Sequence, residues 1–367
     1  MSAPLWPSAA RRGDGMPSLA VVILNYNRAD LLADCLESIY AAPTRCVLAT
    51  WVVDNASIDG SAAMVRARFP QARVIESPVN GGYSHGNNLA LRELLGRPGG
   101  AKPLRKKREE IFSEACGPQT PASDGDGGND NWSNCRWPAS YPGSAIGHRQ
   151  SAVPDYVMLL NNDTVVPAGA LDGLVDYLEE HPEVGAVGPK LILPDGSLDL
   201  ACRRSFPTPE VSFYRMLGLA RIFPKSPRFA RYNMTYLDPD VETEVDALVG
   251  ACMLLRSGVV REVGLLDEQF FMYGEDLDWA YRIKQYGWRV AYYPRVVIHH
   301  YKRAASARRA IPSIRAFHDA MRIFHRKHYA VTTPAPLNAL IEIGITLKEL
   351  LALGRNYLRP PAARRVR

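Results

Sequence analysis

Between residues 18 and 164 four short apolar runs, "SLAVVIL", "LATWVVD", "ARVIES" and "DYVMLLN", alternate with segments of helical period. The intervening segments are "RADLLADCLESIYAA", "DGSAAMVRARFP" and "GNNLALRELLG". Short apolar strands alternating with amphipathic helices specify βαβ units and a mostly parallel sheet. Because such crossovers are right-handed, the loops after the strands fall on one rim, where open α/β sheets hold their ligands. Those loops are "NYNR", "DNASIDG", "SPVNGGYSHGNN" and "NNDT". Any one of them is an ordinary turn or helix cap. Four on one rim make a cleft.

The rhythm breaks at residues 97–154. "GRPGGAKPLRKKREE" is basic, and "GPQTPASDGDGGNDNWSNCRWPASYPGS" has no period and a composition that favours disorder. We expect a low-complexity insertion within a domain spanning 18–306, with a disordered tail at 1–17. Beyond Val187 the pattern becomes mixed: "KLILPDGSLDLACR" reads as a hairpin on an Asp-Gly turn. "VDALVGACMLLRSGVVREVG" gives a strand and a short helix, "GEDLDWAYRIKQYG" a helix, and "WRVAYYPRVVIHH" short strands. Residues 307–367 are expected to be helical with a basic end, "RPPAARRVR". Leu337, Leu340, Ile341, Ile345, Leu347, Leu351 and Leu353 suit a helix that packs on the domain or lies in a membrane interface.

Charge supports a division of labour. Lys and Arg number 44 against 38 Asp and Glu, and much of the excess falls in "PLRKKRE" and in the segment after Lys302. A basic end beside an acidic centre points to contact with an anionic surface rather than to a basic active site. Six cysteines without a CxxC pair read as thiols of a reducing compartment, with no zinc site. No apolar leader or transmembrane-length stretch is present in the 367 residues, so a cytoplasmic protein is expected.

The strand-end loops carry the chemistry. Asp54 can accept hydrogen bonds from a ribose hydroxyl or a base imide, or merely cap the next helix. Gly81, Gly82 and Gly86 permit close backbone approach but form no GxGxxG fingerprint, which disfavours a nicotinamide-dependent oxidoreductase. Asp163, the acid of "NNDT", suits a hard cation, magnesium or manganese, that bridges to substrate phosphates. His299 and His300 end an apolar strand, and imidazole suits a manganese-like ion. Glu275 and Asp276 open a helix among aromatic residues. They are favourable N-terminal charge, or one of them is desolvated enough to act as a general base.

Taken in order, "VVILNYNR", "VVDNASIDGS", "NGGYSHGNN", "LLNNDTVVP", "GACMLLRS", "DEQFFMYGEDLDW" and "VIHH" resemble an inverting family-two glycosyltransferase. The resemblance is to rhamnosyltransferase-like members of the GT-A fold and covers almost all of residues 18–306. It implies an α/β fold: a Rossmann-like nucleotide-binding half with a mixed central sheet, plus C-terminal helices. It implies that Asn25, Asp54, Asn80, Gly81, Gly82, Asn88 and Asn162 line the site of a nucleoside diphosphate sugar. "NND" stands where the family has its metal-binding DxD, so Asp163 and His300 become ligands of magnesium or manganese, and Asp276 the catalytic base. The implied acceptor is a lipid-linked or growing polysaccharide, met at the inner face of a membrane through the C-terminal helix; no nucleic-acid partner is implied. The same fold with a galactosyl, mannosyl or N-acetylglucosaminyl donor is the alternative. A catalytically silent nucleotide-sugar-binding scaffold is the other, which need not keep Asp163, Asp276 and His300.

Overall fold

The computed structural model describes residues 15–96, 153–302 and 310–358. The expected N-terminal tail up to Asp14, the insertion through Ala152 and the basic end from Arg359 lie outside the described residues.

The first half follows the βαβ rhythm: β1 (Ser18–Asn25), α1 (Ala29–Tyr40), β2 (Val47–Asp54), α2 (Ser61–Arg68), β3 (Arg73–Glu76) and α3 (Gly82–Leu95). β4 (Tyr156–Asn161) then adds to the free edge of β1, parallel to it. Residues 19–23 of β1 are wholly buried, as expected of a strand covered on both faces. Register brings the polar ends level, with Asn25 opposite Asp54 and Leu24 opposite Asn161.

The second half comprises β5 (Thr164–Val165), α4 (Ala170–Glu180), β6 (Val184–Ile192), α5 (Pro209–Met216), α6 (Leu219–Ile222), β7 (Thr243–Glu244) and β8 (Cys252–Arg256). α7 (Ser257–Val263), α8 (Glu275–Gln285), β9 (Arg289–His300), α9 (Ala310–His328) and α10 (Ala335–Tyr357) complete it. Strand order is β3-β2-β1-β4-β8-β6-β9-β5, with β7 on β9. The sheet is mixed because β8 runs antiparallel between β4 and β6.

Three local expectations are corrected. The glycine-rich segment is less loop than expected, because α3 begins at Gly82 rather than near Gly86. The hairpin turn forms, with Leu193 N–H donating to the Ser197 carbonyl, but its second arm pairs only at Leu198. Asp199 then caps a short 3₁₀ turn at Leu200–Cys202 and diverts the chain. The expected short strands near the C-terminus are one 12-residue strand, β9, bulged so that Pro189 of β6 pairs with Tyr293 but Lys190 with Val297.

The four described cysteines, 35, 46, 202 and 252, are buried free thiols. α9 packs on α8 through a small second core of Ala247, Phe270, Leu277, Ala280, Ala320 and Phe324. Asp278, fully buried, anchors that junction: it accepts from Arg282 Nε at 2.9 Å and lies 2.7 Å from His328 Nε2 and 2.8 Å from Lys327 Nζ.

Candidate functional site

Adjacent ends of β2, β1 and β4 supply the first part of the site. Asn162 Nδ2 donates to Asn25 Oδ1 at 2.6 Å, and Asn25 Nδ2 donates to Ser57 Oγ at 3.3 Å. Positive φ at Asn27 and Ala56 turns both loops back over these strand ends. Asp54 is buried, and its Oδ1 has no hydrogen-bond partner. A buried carboxylate oxygen left unsatisfied is costly unless a ligand supplies the donor.

The glycine segment closes over this edge. Asn55 Nδ2 donates to Asn80 Oδ1 at 2.9 Å, and the Asn55 and Asn80 side-chain oxygens take the N–H groups of Gly81 and Gly82 at 3.1 and 3.2 Å. Gly82 has φ +85°, and a Cβ there would lie 2.1 Å from the Phe271 carbonyl oxygen, so no larger residue fits. The next N–H, of Tyr83, donates to that same oxygen at 2.7 Å, while the Tyr83 hydroxyl donates to the Gly250 carbonyl at 2.6 Å. These first amides of α3 are therefore spent within the protein. Asn88 does not join the other nucleotide-site residues proposed from sequence. Its buried amide clamps both backbone groups of Leu266, at 2.9 and 3.1 Å.

β5 and β9 bring the NND loop to the histidines. Thr164 pairs with His300 and Val165 with His299. Strand alternation then turns His300 inward, 4% exposed, and His299 outward. His300 Nε2 lies 3.3 Å from Asp163 Oδ1, which is buried and makes no hydrogen bond. On the other side of the ring, Nδ1 meets Asp199 Oδ2 at 3.0 Å, and Lys302 Nζ donates to Asp199 Oδ1 at 2.7 Å. Burial opposes protonation of His300, but Asp163 and Asp199 outweigh it and push its pKa up to about 9. Among the described residues no three His, Cys, Asp or Glu side chains converge as a self-sufficient metal site.

The acidic pair at the start of α8 completes the constellation. Asp276 Oδ2 accepts from Arg204 Nη2 at 2.7 Å and from Gly250 N–H at 3.1 Å, while Oδ1 accepts from Leu277 N–H at 2.8 Å. The carbonyl of the next residue, Ala251, accepts from Asn161 N–H at 2.9 Å. Two consecutive residues thus tie the acid to the loop that carries Asp163. Glu275 is also buried, but its Oε2 has no partner; burial first, and the Asp276 charge second, push its pKa up to about 8. The segment enters α8 through positive φ at both Tyr273 and Gly274, a conformation costly for a tyrosine.

Arg204, Asp199 and Asn55 were not among the residues expected from sequence. The doublet Arg203-Arg204 in the mostly apolar "LDLACRRSF" was the available signal, since a buried guanidinium must find acceptors: Arg204 finds Asp276, and Arg203 the carbonyls of Leu237 and Asp238.

Two family models match the chain: "Glycosyl transferase family 2" over residues 20–97 and "Glycosyltransferase like family 2" over 139–317. The chain is 26% identical to the N-acetylglucosaminyl-diphospho-decaprenol L-rhamnosyltransferase of Mycobacterium tuberculosis, over 95% of this chain and 97% of that protein. It is 29% identical to the O-antigen biosynthesis protein RfbC of Myxococcus xanthus, over 48% of this chain and 13% of that protein. Among solved structures, the mannosyltransferase PcManGT of Pyrobaculum calidifontis, in complex with GDP-Man and Mn2+, aligns with a TM-score of 0.48 and 17% identity, over 95% of this chain and 78% of that one.

Proposed function

Since this chain belongs to glycosyltransferase family 2, we propose that it transfers rhamnose, with inversion, from a nucleoside diphosphate sugar to a hydroxyl of a lipid-linked glycan. The observation that carries the donor site is a pair of buried carboxylate oxygens that make no hydrogen bond, Asp54 Oδ1 and Asp163 Oδ1, the second facing only the His300 imidazole, at the ends of nearby strands. The sugar and the acceptor class follow the M. tuberculosis relative, matched over nearly the whole of both chains.

The residues present fit a divalent cation. Asp163 Oδ1 and His300 Nε2 face each other at 3.3 Å and Asp199 engages Nδ1, so a metal between them would take Nε2 in exchange for the proton that the two carboxylates favour on the ring. One carboxylate and one imidazole suit manganese or magnesium that takes its other ligands from phosphates and water. Bound there, the cation supplies positive charge beside the diphosphate leaving group.

Asp54 receives the base or ribose, and Asn25, Asn162, Asn80, Gly81 and Gly82 shape the donor site around it. Asp276 takes the proton of the acceptor hydroxyl as that oxygen bonds to the anomeric carbon. The bond from that carbon to the diphosphate oxygen breaks on the opposite face, which inverts the configuration. Arg204 and Gly250 hold one carboxylate oxygen of Asp276 in place. One observation favours a second reading: Glu275 carries the buried oxygen without a partner, so it is the competing proton acceptor. A lipid-linked acceptor is met at a membrane surface, which the exposed leucines of α10 suit.

Calorimetry with nucleoside diphosphate rhamnose and manganese tests the site. Asp163→Ala is expected to abolish the manganese-dependent part of binding. Unchanged affinity removes Asp163 from the site. Asp199→Asn replaces the carboxylate beside the His300 ring with a neutral amide, which makes the imidazole a weaker ligand, and is expected to lower manganese binding by about 10-fold or more, towards the scale of losing a ligand's outer partner. Full manganese affinity in that variant would show that Asp199 merely caps its 3₁₀ turn. A panel of other nucleotide sugars, read by transfer or donor hydrolysis, tests the choice of rhamnose.

A further inference from the structure

α10 is amphipathic with its polar side turned inward. Toward α9 it presents Asn338, Glu342, Thr346 and Glu349, which bond His325, Arg326 and Arg322; the Asn338–His325 and Glu349–Arg322 contacts are both 2.7 Å. Outward it presents Leu340, Ile343, Leu347, Leu350 and Leu351, each more than half exposed. A helix that buries its polar residues and exposes a leucine row is built for a second surface.

The row does not end with α10. At Gly344, where a Cβ would come within 3.4 Å of Met216 Cε, α5 lies against the helix. α5, α6 and their junctions expose Phe213, Met216, Leu217, Ile222 and Phe223, so two sequence-distant elements contribute to one apolar face. At their junction stand Arg215, its guanidinium 3.9 Å over the Tyr232 ring, and Lys348, whose ammonium is destabilised by burial and by Arg215. Neither cation has a carboxylate partner among the described residues, and the exposed Arg221, Lys225 and Arg355 have none either. The acids on these helices are occupied, Glu210 by Arg228, Glu342 by Arg326 and Glu349 by Arg322.

We propose that α5, α6 and α10 together form an interfacial docking face for an anionic lipid leaflet, with Arg215 and Lys348 receiving lipid phosphates between the inserted apolar side chains. Unpaired cations at the level of exposed leucine and phenylalanine match the apolar boundary and negative headgroups of such a leaflet. A second copy of the chain fits poorly, because a self-complementary contact would bring the unpaired cations of both copies together. The proposal rests on the lipid-linked reading of the acceptor only for its purpose; the face itself is argued from burial and charge.

The test is sedimentation of the full chain with vesicles of phosphatidylcholine alone and of phosphatidylcholine mixed with phosphatidylglycerol. Wild type is expected to sediment with the anionic vesicles only. Arg215→Gln with Lys348→Gln should weaken that binding about thirtyfold, as expected for two basic groups at an anionic surface. Phe213→Gln with Ile222→Gln on the α5–α6 side, and Leu347→Gln with Leu351→Gln on α10, should each weaken it severalfold. Manganese-dependent nucleotide binding should stay at the wild-type level in all three variants, which verifies the fold and separates this proposal from the donor-site reading. Equal sedimentation with neutral vesicles, or none with either, overturns the proposal. Loss in the α10 variant alone overturns the two-element face. A dimer in sedimentation equilibrium that the same substitutions dissociate assigns the face to a second copy instead.

Discussion

Asp276→Asn is expected to lower sugar transfer by about a hundredfold or more while leaving donor affinity nearly unchanged. The amide keeps an oxygen for Arg204 and the Gly250 N–H, the partners that Asp276 Oδ2 has in the protein, but it cannot take the acceptor's proton. A residue used in the transition state and not in donor binding shows itself in kcat. Glu275→Gln is the paired measurement. Its carboxyl is pushed up to about 8, so a proton acceptor at that position would make transfer climb with pH through that value. If the climb exists and disappears only in Glu275→Gln, while Asp276→Asn transfers normally, the proton goes to Glu275. If neither substitution lowers transfer, the acidic pair is only a charged helix start.

The largest loss of stability is expected at Asp278. Asp278→Ala removes the one carboxylate that Arg282, Lys327 and His328 share, and leaves cationic groups around a void between α8 and α9. Breaking a buried ion pair from one side costs about 3–5 kcal/mol. Denaturant unfolding at neutral pH measures it, and a change below about 1 kcal/mol, the scale of an exposed pair, would show that the junction does not need the acid. Burial works against ionisation of Asp278, but His328, Arg282 and Lys327 outweigh it and hold the carboxyl down to about 2, below its ordinary 3.8. A depressed carboxyl contributes stability that is present above its unfolded value and is lost as pH falls through the folded one. The difference between wild type and Asp278→Asn should therefore shrink between 3.8 and about 2.

The strand ends were legible because a period of two residues and a polar stop are both local signals. Asn25, Asp54, Asn162 and Asp163 sit where "NYNR", "DNAS" and "NNDT" place them. Arg204 and Asp199 were not legible as partners of Asp276 and His300, since those lie 72 and 101 residues away and no local pattern records such a pairing. Asn88 misled for a related reason. An asparagine beside glycines reads as a ligand-facing loop residue, but α3 already runs through it and points its amide at Leu266. The apolar residues of α10 were visible as a helical stripe; that the polar side faces the protein becomes apparent only once α9 supplies Arg322, His325 and Arg326. The antiparallel course of β8 is likewise set by neighbours on both sides rather than by its own five residues.

The bulge in β9 uncouples the strand end from the chain before it. Tyr293 packs against Tyr177 of α4 and Val296 lies against Gly173 of the same helix, so residues of odd spacing face one side and strict alternation stops at the bulge. Facing downstream is set anew by the pairing of Val297, Ile298 and His299 with Lys190, Leu191 and Ile192. Removing one residue of 294–296 while that register holds is therefore expected to leave His300 beside Asp163 and the proposed manganese affinity intact, whereas a one-residue slip of 297–300 should abolish it.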